Sequence, residues 1–573
     1  MKKYLKFLLF IVAFVLFHSC NIDEEITIET PPQIILESSI YSVKQGREII
    51  IAPLYKFAED ATYCWTMEGE TISCSPSLSF TQENVGEYFI TIAVSNNGGY
   101  TKEEIRIDVV ELEIPTVSIA GNKNITVASG TELTFSASVR ETSIATTLIW
   151  RINGQEVGKD KEYTFITEAV GSYTITATAS NDDGSHSDSV TVDILSPENM
   201  PFVWEFNRKE YHTIVGRKLQ ISPTGKSNSN DIDYSWKISG EEKSIGNNEY
   251  LVFTAENIGE YKITATATSK KQEKQFTLIH EFTVTVYDGN INYRPKSSSS
   301  KAECNRVYEY TPAPGQFINE RKTGGFDGSQ TTAEAARLYS EKRLTNNDWV
   351  SLGGFGGYII IGFDHSIENN DGYDLAVIGN AFDGSSEPAV VWVMQDENGD
   401  GQPNDTWYEL AGSESYKNET ICNYEVTYYR PTAAGMSVQW QDNMGDSGTI
   451  DYLRQFHTQD YYYPLWIEAD SYTLRGTRLE ARNYDKSGNG SYWVNPHYDW
   501  GYVDNYSPID FVKGEMSNLF DIDNAIDFEG ESIELKHIDF IKVQSAINGK
   551  SGWLGEISTE VCGFYDYTLK NEQ

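Results

Sequence analysis

The amino-acid sequence predicts an all-β protein: three tandem β-sandwiches followed by a larger β-sandwich that carries one short helix. Three observations predict it. A set of landmarks, Trp then Phe then Gly-x-Tyr, recurs three times between residues 30 and 287. Around them apolar and polar residues alternate, as in Tyr173-Thr174-Ile175-Thr176-Ala177-Thr178, which is the period-two pattern of a half-buried strand. From about Cys304 onward, Gly clusters followed by continuous apolar runs replace that alternation and read as fully buried strands.

Composition agrees with a chain of several folded domains. Its 573 residues accommodate a separate core in each. The 84 Asp and Glu outnumber the 45 Lys and Arg, giving a net charge of -39 that is spread along the chain. Phosphate binding needs a basic stripe, so nucleic acid is excluded as a partner. At 13% the aromatic content supplies the apolar area that disordered chains lack.

The first element is an address. Lys2, Lys3 and Lys6 precede an apolar run from Phe7 to Phe17, then His18, Ser19 and Cys20. A positive segment, about eleven apolar residues and a small residue form a secretory leader too short to span a bilayer. The Ser19-Cys20 junction resembles the bacterial lipoprotein cleavage box, with Phe17 where that family usually has Leu. The resemblance implies that residues 1–20 are the signal peptide and its cleavage box, cut ahead of Cys20, with a diacylglycerol on the Cys20 sulfur. Asn21-Ile22-Asp23-Glu24-Glu25 is similar to the acidic signal that sends Bacteroidetes lipoproteins to the outer face of the outer membrane; the same residues also read as a solvated tether over 21–30.

Next come the repeats. Trp65 precedes Phe80, Val85-Gly86-Glu87-Tyr88 and Val94-Ser95-Asn96; the order returns as Trp150, Phe165, Val170-Gly171-Ser172-Tyr173 and Ala179-Ser180-Asn181. It returns again as Trp236, Phe253, Ile258-Gly259-Glu260-Tyr261 and Thr268-Ser269. Short strands at this spacing with Gly and Asn turns describe sandwiches of immunoglobulin size at 31–112, 113–196 and 197–288. Their Trp, Phe and Tyr form the cores. These units resemble the PKD (polycystic kidney disease) domain family, in which the Trp lies on an inner strand ahead of the Gly-x-Tyr turn; the third departs at Thr268-Ser269-Lys270, where Asn is expected. The resemblance implies a spacer or, alternatively, a sugar- or protein-binding role. Pro295 and four consecutive Ser at 297–300 make 289–303 read as a linker.

The last module is 304–573. A helix from Thr332 to Leu344 is predicted from Ala335, Leu338 and Tyr339 on one face and a Thr at its start. Ser351-Leu352-Gly353-Gly354-Phe355-Gly356-Gly357, then Gly362-Phe363-Asp364, Asp374-Leu375-Ala376-Val377-Ile378-Gly379-Asn380-Ala381-Phe382 and Gly555 to Gly563 carry a second resemblance. They are similar to a module of exported bacterial proteins, including Bacteroidetes surface lipoproteins, which implies a jelly-roll-like sandwich and no transferable reaction. Lipoproteins of this build accompany outer-membrane, TonB-dependent transporters for glycans or corrinoids. The remaining cysteines, Cys64, Cys74, Cys304, Cys422 and Cys562, are odd in number and lack a CxxC pair, so small buried apolar residues are the expectation and pairing stays open.

Asp396-Glu397-Asn398-Gly399-Asp400-Gly401-Gln402-Pro403-Asn404-Asp405 is the sharpest site. Oxygen ligands at positions 1, 3 and 5 with Gly at 6 curl a loop around Ca²⁺, a hard cation that takes six to eight oxygens. Asp396, Asn398 and Asp400 fit those positions, Gln402 adds a carbonyl and Asp405 closes the site, because Trp407 stands where an EF-hand has its Glu. An acidic hairpin turn is the alternative. The ion's expected role is structural.

Downstream, Tyr461, Tyr462, Tyr463 and Trp466, then Tyr492, Trp493, His497, Tyr498, Trp500 and Tyr502, gather beside Asn495, Asp499, Asp504 and Asn505. Rings with convergent polar groups suit a sugar or a large planar ligand, and core packing explains many of them equally well. Trp493, His497, Tyr498 and Trp500 are the candidate ligand residues, because Pro496 and Gly501 mark a loop. Gly445-Asp446-Ser447-Gly448 lacks the His and Asp partners of a serine protease, no HExxH or GxSxG occurs, and a carboxylate pair for glycoside hydrolysis stays open. The expectation is a non-enzymatic surface lipoprotein that captures a glycan or corrinoid for a transporter, with an adhesin or structural surface protein as the alternative.

Overall fold

The computed structural model describes residues 30–140, 142–196, 202–226, 232–269, 277–289, 292–321, 326 and 328–572. Cys20, the rest of the leader and residues 21–29 lie outside them. The protein is all-β, with two α-helices among the described residues, Ala333–Thr345 and Tyr567–Glu572. Two compact units divide between Glu113 and Ile114.

In the first unit a five-stranded sheet runs Ile40–Lys44, Gly99–Val110, Gly86–Asn96, Thr62–Met67, Glu70–Ser73, with the first strand parallel to its neighbour and the others antiparallel. Alternation puts Ile90, Ile92, Val94, Ile105 and Ile107 on the inner face, where they pack with Leu78 and Phe80 of the opposing short strand. The second unit repeats this order with Asn124–Ala128, Gly184–Leu195, Gly171–Asn181, Thr147–Ile152 and Gln155–Gly158. It repeats it once more with Glu210–Ile214, Thr277–Tyr287, Gly259–Ser269, Ile232–Ile238 and Ser244–Gly246.

The recurrent residues do the same physical work each time. Trp65, Trp150 and Trp236 are fully buried, and each indole N–H donates to a carbonyl ten to twelve residues on: Ser75 at 2.9 Å, Asp160 at 2.8 Å, Asn248 at 2.9 Å. A buried Trp needs such an acceptor, which fixes the following hairpin against the core. The Tyr of each Gly-x-Tyr turn donates its hydroxyl four residues back, Tyr88 to Asn84 O, Tyr173 to Ala169 O and Tyr261 to Asn257 O, pinning the corner in the manner of immunoglobulin sandwiches.

The head opens on a strap. Residues 292–303, a linker by composition, are bonded to the head along their length: Arg294 pairs with buried Asp539 at 3.0 Å and donates to Phe363 O, and Tyr293 donates to Glu368 at 2.6 Å. Ala302 and Ser300 are buried. The four Ser form a local turn closed by Ser297 and Ser300, so polar composition here reflects turn chemistry and not freedom.

A six-stranded antiparallel sheet follows the order Arg306–Thr311, Tyr358–Glu368, His537–Ser545, Ala389–Met394, Trp407–Leu410, Ala525–Ile526. Leu375, Val377, Phe520 and Phe564 of a four-stranded sheet (Phe511–Val512, Ser517–Phe520, Leu375–Ile378, Gly563–Asp566) share its core with Ile359, Ile361, Val391 and Val393. A second four-stranded sheet, Ser447–Ile450, Val438–Asp442, Ile421–Tyr429, Ser471–Arg478, has its own core around Tyr424, Tyr428, Tyr462 and Tyr463. The Gly-rich start is steric: a Cβ on Gly353, at φ +69°, would lie 2.1 Å from Ala313 O, and one on Gly357 would lie 1.8 Å from Leu352 O. The helix begins after Thr332, whose hydroxyl accepts the Ala335 N–H, but it buries Ala336, Ser340 and Leu344 and leaves Leu338, expected on its inner face, exposed. All five cysteines past residue 30 are free thiols, and against the expectation of small buried residues Cys562 alone of the five is buried, with Cys74 and Cys422 exposed.

Candidate functional site

The loop from Trp493 to Asn505 is built from buried polar residues. Asn505 Oδ1 accepts the Tyr498 N–H at 2.9 Å and its Nδ2 donates to Tyr498 O at 2.8 Å, closing the turn, and Asn495 Oδ1 accepts the Ser551 hydroxyl at 2.6 Å. These amides, read from the sequence as convergent ligand groups, are structural. Tyr498 is corrected with them: it is 2% exposed, packs with Tyr502, Val390 and Ile547, and donates its hydroxyl to Glu480 O. Core packing took the ring. Tyr462, Tyr463 and Trp466 are core for the same reason.

The other three candidates do not share one pocket. His497 is exposed, and Trp493 is half-buried against Gly552 with its indole N–H lacking an acceptor among the described residues. Trp500 lines a cleft of about 350 Å³ together with Tyr373, Ile509, Asp510, Asp521 and Asn524. Three contacts hold it there. Trp500 O accepts the Ser413 N–H at 3.0 Å; Gly501, at φ +90°, brings its Cα against Gly412; and Asp510 accepts the Gly501 N–H at 2.6 Å. Burial raises the Asp510 carboxyl, opposed by the Gly501 N–H. The cleft therefore brings together two aromatic residues, Trp500 and Tyr373, an exposed Ile509 and the acids Asp510 and Asp521, a mixture that suits hydroxyl-rich or amide-bearing ligands with apolar faces. Tyr373, Ile509 and Asp521 come from distant segments, and no spacing in the sequence joins them to Trp500.

The Asp396–Asp405 loop curls as its Gly residues require. Asp396 accepts the N–H groups of Gly399 at 2.8 Å and Gly401 at 3.0 Å. Asn398 Oδ1 accepts the Asp400 N–H at 2.9 Å, and Asp400 accepts the Gln402 N–H at 2.8 Å together with the amides of Asn398 and Asn404. Gln402 O accepts the Asn404 N–H. Asp405 takes the Glu397 N–H on one oxygen, while its other oxygen and Glu397 Oε2 are buried without a donor among the described residues. Burial pushes Asp405 up to about 8, reinforced by Glu397, and Glu397 up to about 7 against the pull of Arg217. Both carboxyls are raised first by their burial, with two of their oxygens left without a donor among the described residues.

The loop also carries a contact that sequence reasoning missed. Arg217, between strands of the third sandwich, bonds Glu397 at 2.8 Å; Arg208 donates to Asn404 O, and Asn292 donates to Glu397 O at 3.0 Å. The second sandwich touches the head through Thr432 to Val117 O at 3.2 Å and Gln439 to Ser118 O at 3.3 Å. These two sandwiches lie against the head. Among the described residues, groups of three carboxylates whose oxygens all lie within 4.8 Å of one another occur at Glu387, Asp504 and Glu560, and at Asp527, Glu529 and Glu531. Closing the Asp396 loop on an ion thus requires Asp400 to leave the Asn398 and Asn404 amides.

Residues 31–96 match the PKD-like domain family and residues 116–194 match the PKD domain family. The chain thus contains tandem PKD/immunoglobulin-like domains, which fit a cell-surface stalk or an adhesion-type role and are typically non-catalytic. No curated protein matches the chain. Similar solved structures include the fibronectin(III)-like modules of Clostridium thermocellum CbhA, at 17% identity over 30% of this chain and 97% of that one, TM-score 0.18. An I-band fragment of titin is similar at 14% identity over 45% and 99%, TM-score 0.21. Three N-terminal domains of the bacteriophage RB49 Highly Immunogenic Outer Capsid protein are similar at 14% over 44% and 98%, TM-score 0.21.

Proposed function

We propose that the protein is a surface-exposed lipoprotein, acylated at Cys20 and anchored in the outer membrane, whose head captures a glycan or corrinoid without catalysis and hands it to a TonB-dependent transporter. The observation that supports the capture step is the Trp500 cleft, which aromatic residues from two segments line together with Asp510 and Asp521. Ca²⁺ has a structural part in this reading, with Asp396, Asn398, Asp400, Asp405 and the Gln402 carbonyl as ligands. The orphaned Asp405 oxygen supports that assignment.

The test is a thermal-shift series on the secreted chain with oligosaccharides and with cobalamin. A ligand that binds only the folded state raises the midpoint in proportion to saturation. One class is expected to shift the wild type, Trp500→Ala is expected to lose that shift, and Trp493→Ala, outside the cleft, is expected to keep it. Adhesion takes the place of capture if neither class shifts the wild type.

A further inference from the structure

A second cleft of the head, of about 340 Å³, lies where the six-stranded sheet meets the Ile421–Tyr429 and Ser471–Arg478 strands. On the central strand His537–Ser545, Lys542 pairs across the sheet with Trp392, and Trp392 pairs in turn with Glu409. Lys542, Trp392 and Glu409 therefore stand in one row on one face. Leu410, the neighbour of Glu409, lines the Trp500 cleft, so the two clefts lie on opposite sides of the Trp407–Leu410 strand.

Lys542 is set among rings. Its Nζ is 4.5 Å from the centroid of Trp392, 5.5 Å from Trp407 and 5.9 Å from Tyr358. It forms no hydrogen bond or ion pair among the described residues, and Glu409 and Glu309 act on it only at longer range. Glu409 is buried at the same cleft, with one oxygen accepting the Thr477 hydroxyl. The other charged groups lining this cleft are Arg475, which pairs with Glu425 at 3.5 Å, and Asp527 and Glu529, which pair with Lys218. A lysine without a carboxylate partner, walled by aromatic rings beside a buried acid, has the surroundings of an amine that reacts as a nucleophile.

We propose that Lys542 is a carbonyl-capturing amine: the cleft admits an aldehyde, Nζ condenses with it to an imine, and Glu409 carries the protons. The step balances without a further reactant. The neutral Nζ adds to the carbonyl carbon, the C=O π pair moves to oxygen, and that oxygen takes a proton from the Glu409 carboxyl. The nitrogen gives up its own proton to the carboxylate. Its lone pair then expels the hydroxyl, reprotonated by Glu409, as water, leaving an iminium ion. The rings of Trp392 and Trp407 stabilise that cation by their negative faces.

Electrostatics supports the geometry. Burial pushes the Lys542 ammonium down to about 8, with Glu409 and Glu309 opposing, and burial pushes Glu409 up to about 7, with the Thr477 hydroxyl and Lys542 opposing. Near pH 7.4 roughly a fifth of Lys542 is then neutral, against about a thousandth of an ordinary lysine. Burial thus enlarges the share of neutral amine and of protonated carboxyl at neutral pH.

The experiment exposes the secreted chain to propanal with sodium cyanoborohydride and maps propylated lysines by mass spectrometry over time and pH. Lys542 is expected to label at least ten times faster than the median lysine, with a half-maximal rate near pH 8. Lys542→Arg is expected to remove this fast site alone, and Glu409→Gln to slow Lys542 severalfold while leaving the other lysines unchanged. Labelling of wild-type Lys542 at the rate of surface lysines, or a rate still rising at pH 10, overturns the proposal whether or not either variant folds.

Discussion

Glu556 shows what the head's acids do at the scale of one residue. It is buried, one oxygen accepts the Gln316 N–H at 2.6 Å, and the other has no donor among the described residues. Burial pushes it up to about 7, against the Gln316 N–H and with help from Glu560. A carboxyl raised in the folded state binds its proton more tightly than the unfolded chain does. Its stabilisation is therefore complete below about pH 4.5 and disappears as pH rises through 7. Glu409 and Glu560, each also held near 7, act with the same sign. Glu556→Gln is expected to leave stability at pH 5 nearly unchanged and to recover up to about 3 kcal/mol of what the wild type loses by pH 8, checked by chemical denaturation at the two values. No such acid was legible in the sequence. Among 84 Asp and Glu nothing marks Glu387 and Glu560 as neighbours, and the chain brings them together across 173 residues only by folding.

Individual elements divide by how local their cause is. The Trp and Gly-x-Tyr landmarks were legible because each closes a hydrogen bond within about a dozen residues, and the helix was legible because Thr332 caps it from the adjacent position. The strap at 292–303 was not, since its anchor, Asp539, lies 245 residues away. Asp539 is 2% exposed and ties three segments, accepting from Arg294, from the Ser366 hydroxyl at 2.6 Å and from the Asp396 N–H at 2.8 Å. Removal of one partner of a buried pair leaves an uncompensated charge. Arg294→Met is accordingly expected to cost about 3 kcal/mol, and hydrogen exchange is expected to quicken in the strap, at Ser366 and at the start of the Asp396 loop together. Exchange confined to residues 292–303 would show that the strap is an independent tether.

At the scale of the whole molecule, the proposed calcium loop does not belong to the head alone. Its Glu397 is held by Arg217 and its Asn404 carbonyl by Arg208, both from the third sandwich. Binding energy gained at the loop is therefore shared with that sandwich, because Arg217 and the ion act on the same stretch of backbone. At a hundredfold excess over the dissociation constant, an ion that binds only the folded state adds about 2.7 kcal/mol. With sites of roughly 0.1 to 1 mM, about 10 to 100 mM Ca²⁺ reaches that excess. The protein is expected to gain this amount on addition of Ca²⁺ and lose it on chelation. Asp400→Asn, which removes a charge and one of the two oxygens that accept the Gln402 N–H and the Asn398 and Asn404 amides, is expected to abolish most of the gain. Arg217→Met is expected to keep calcium binding to the loop while uncoupling the third sandwich from it, so that calcium no longer slows exchange in the Glu210–Ile214 and Leu219–Ile221 strands. An equal gain in the Asp400→Asn chain would place any ion elsewhere and leave the loop an acidic turn.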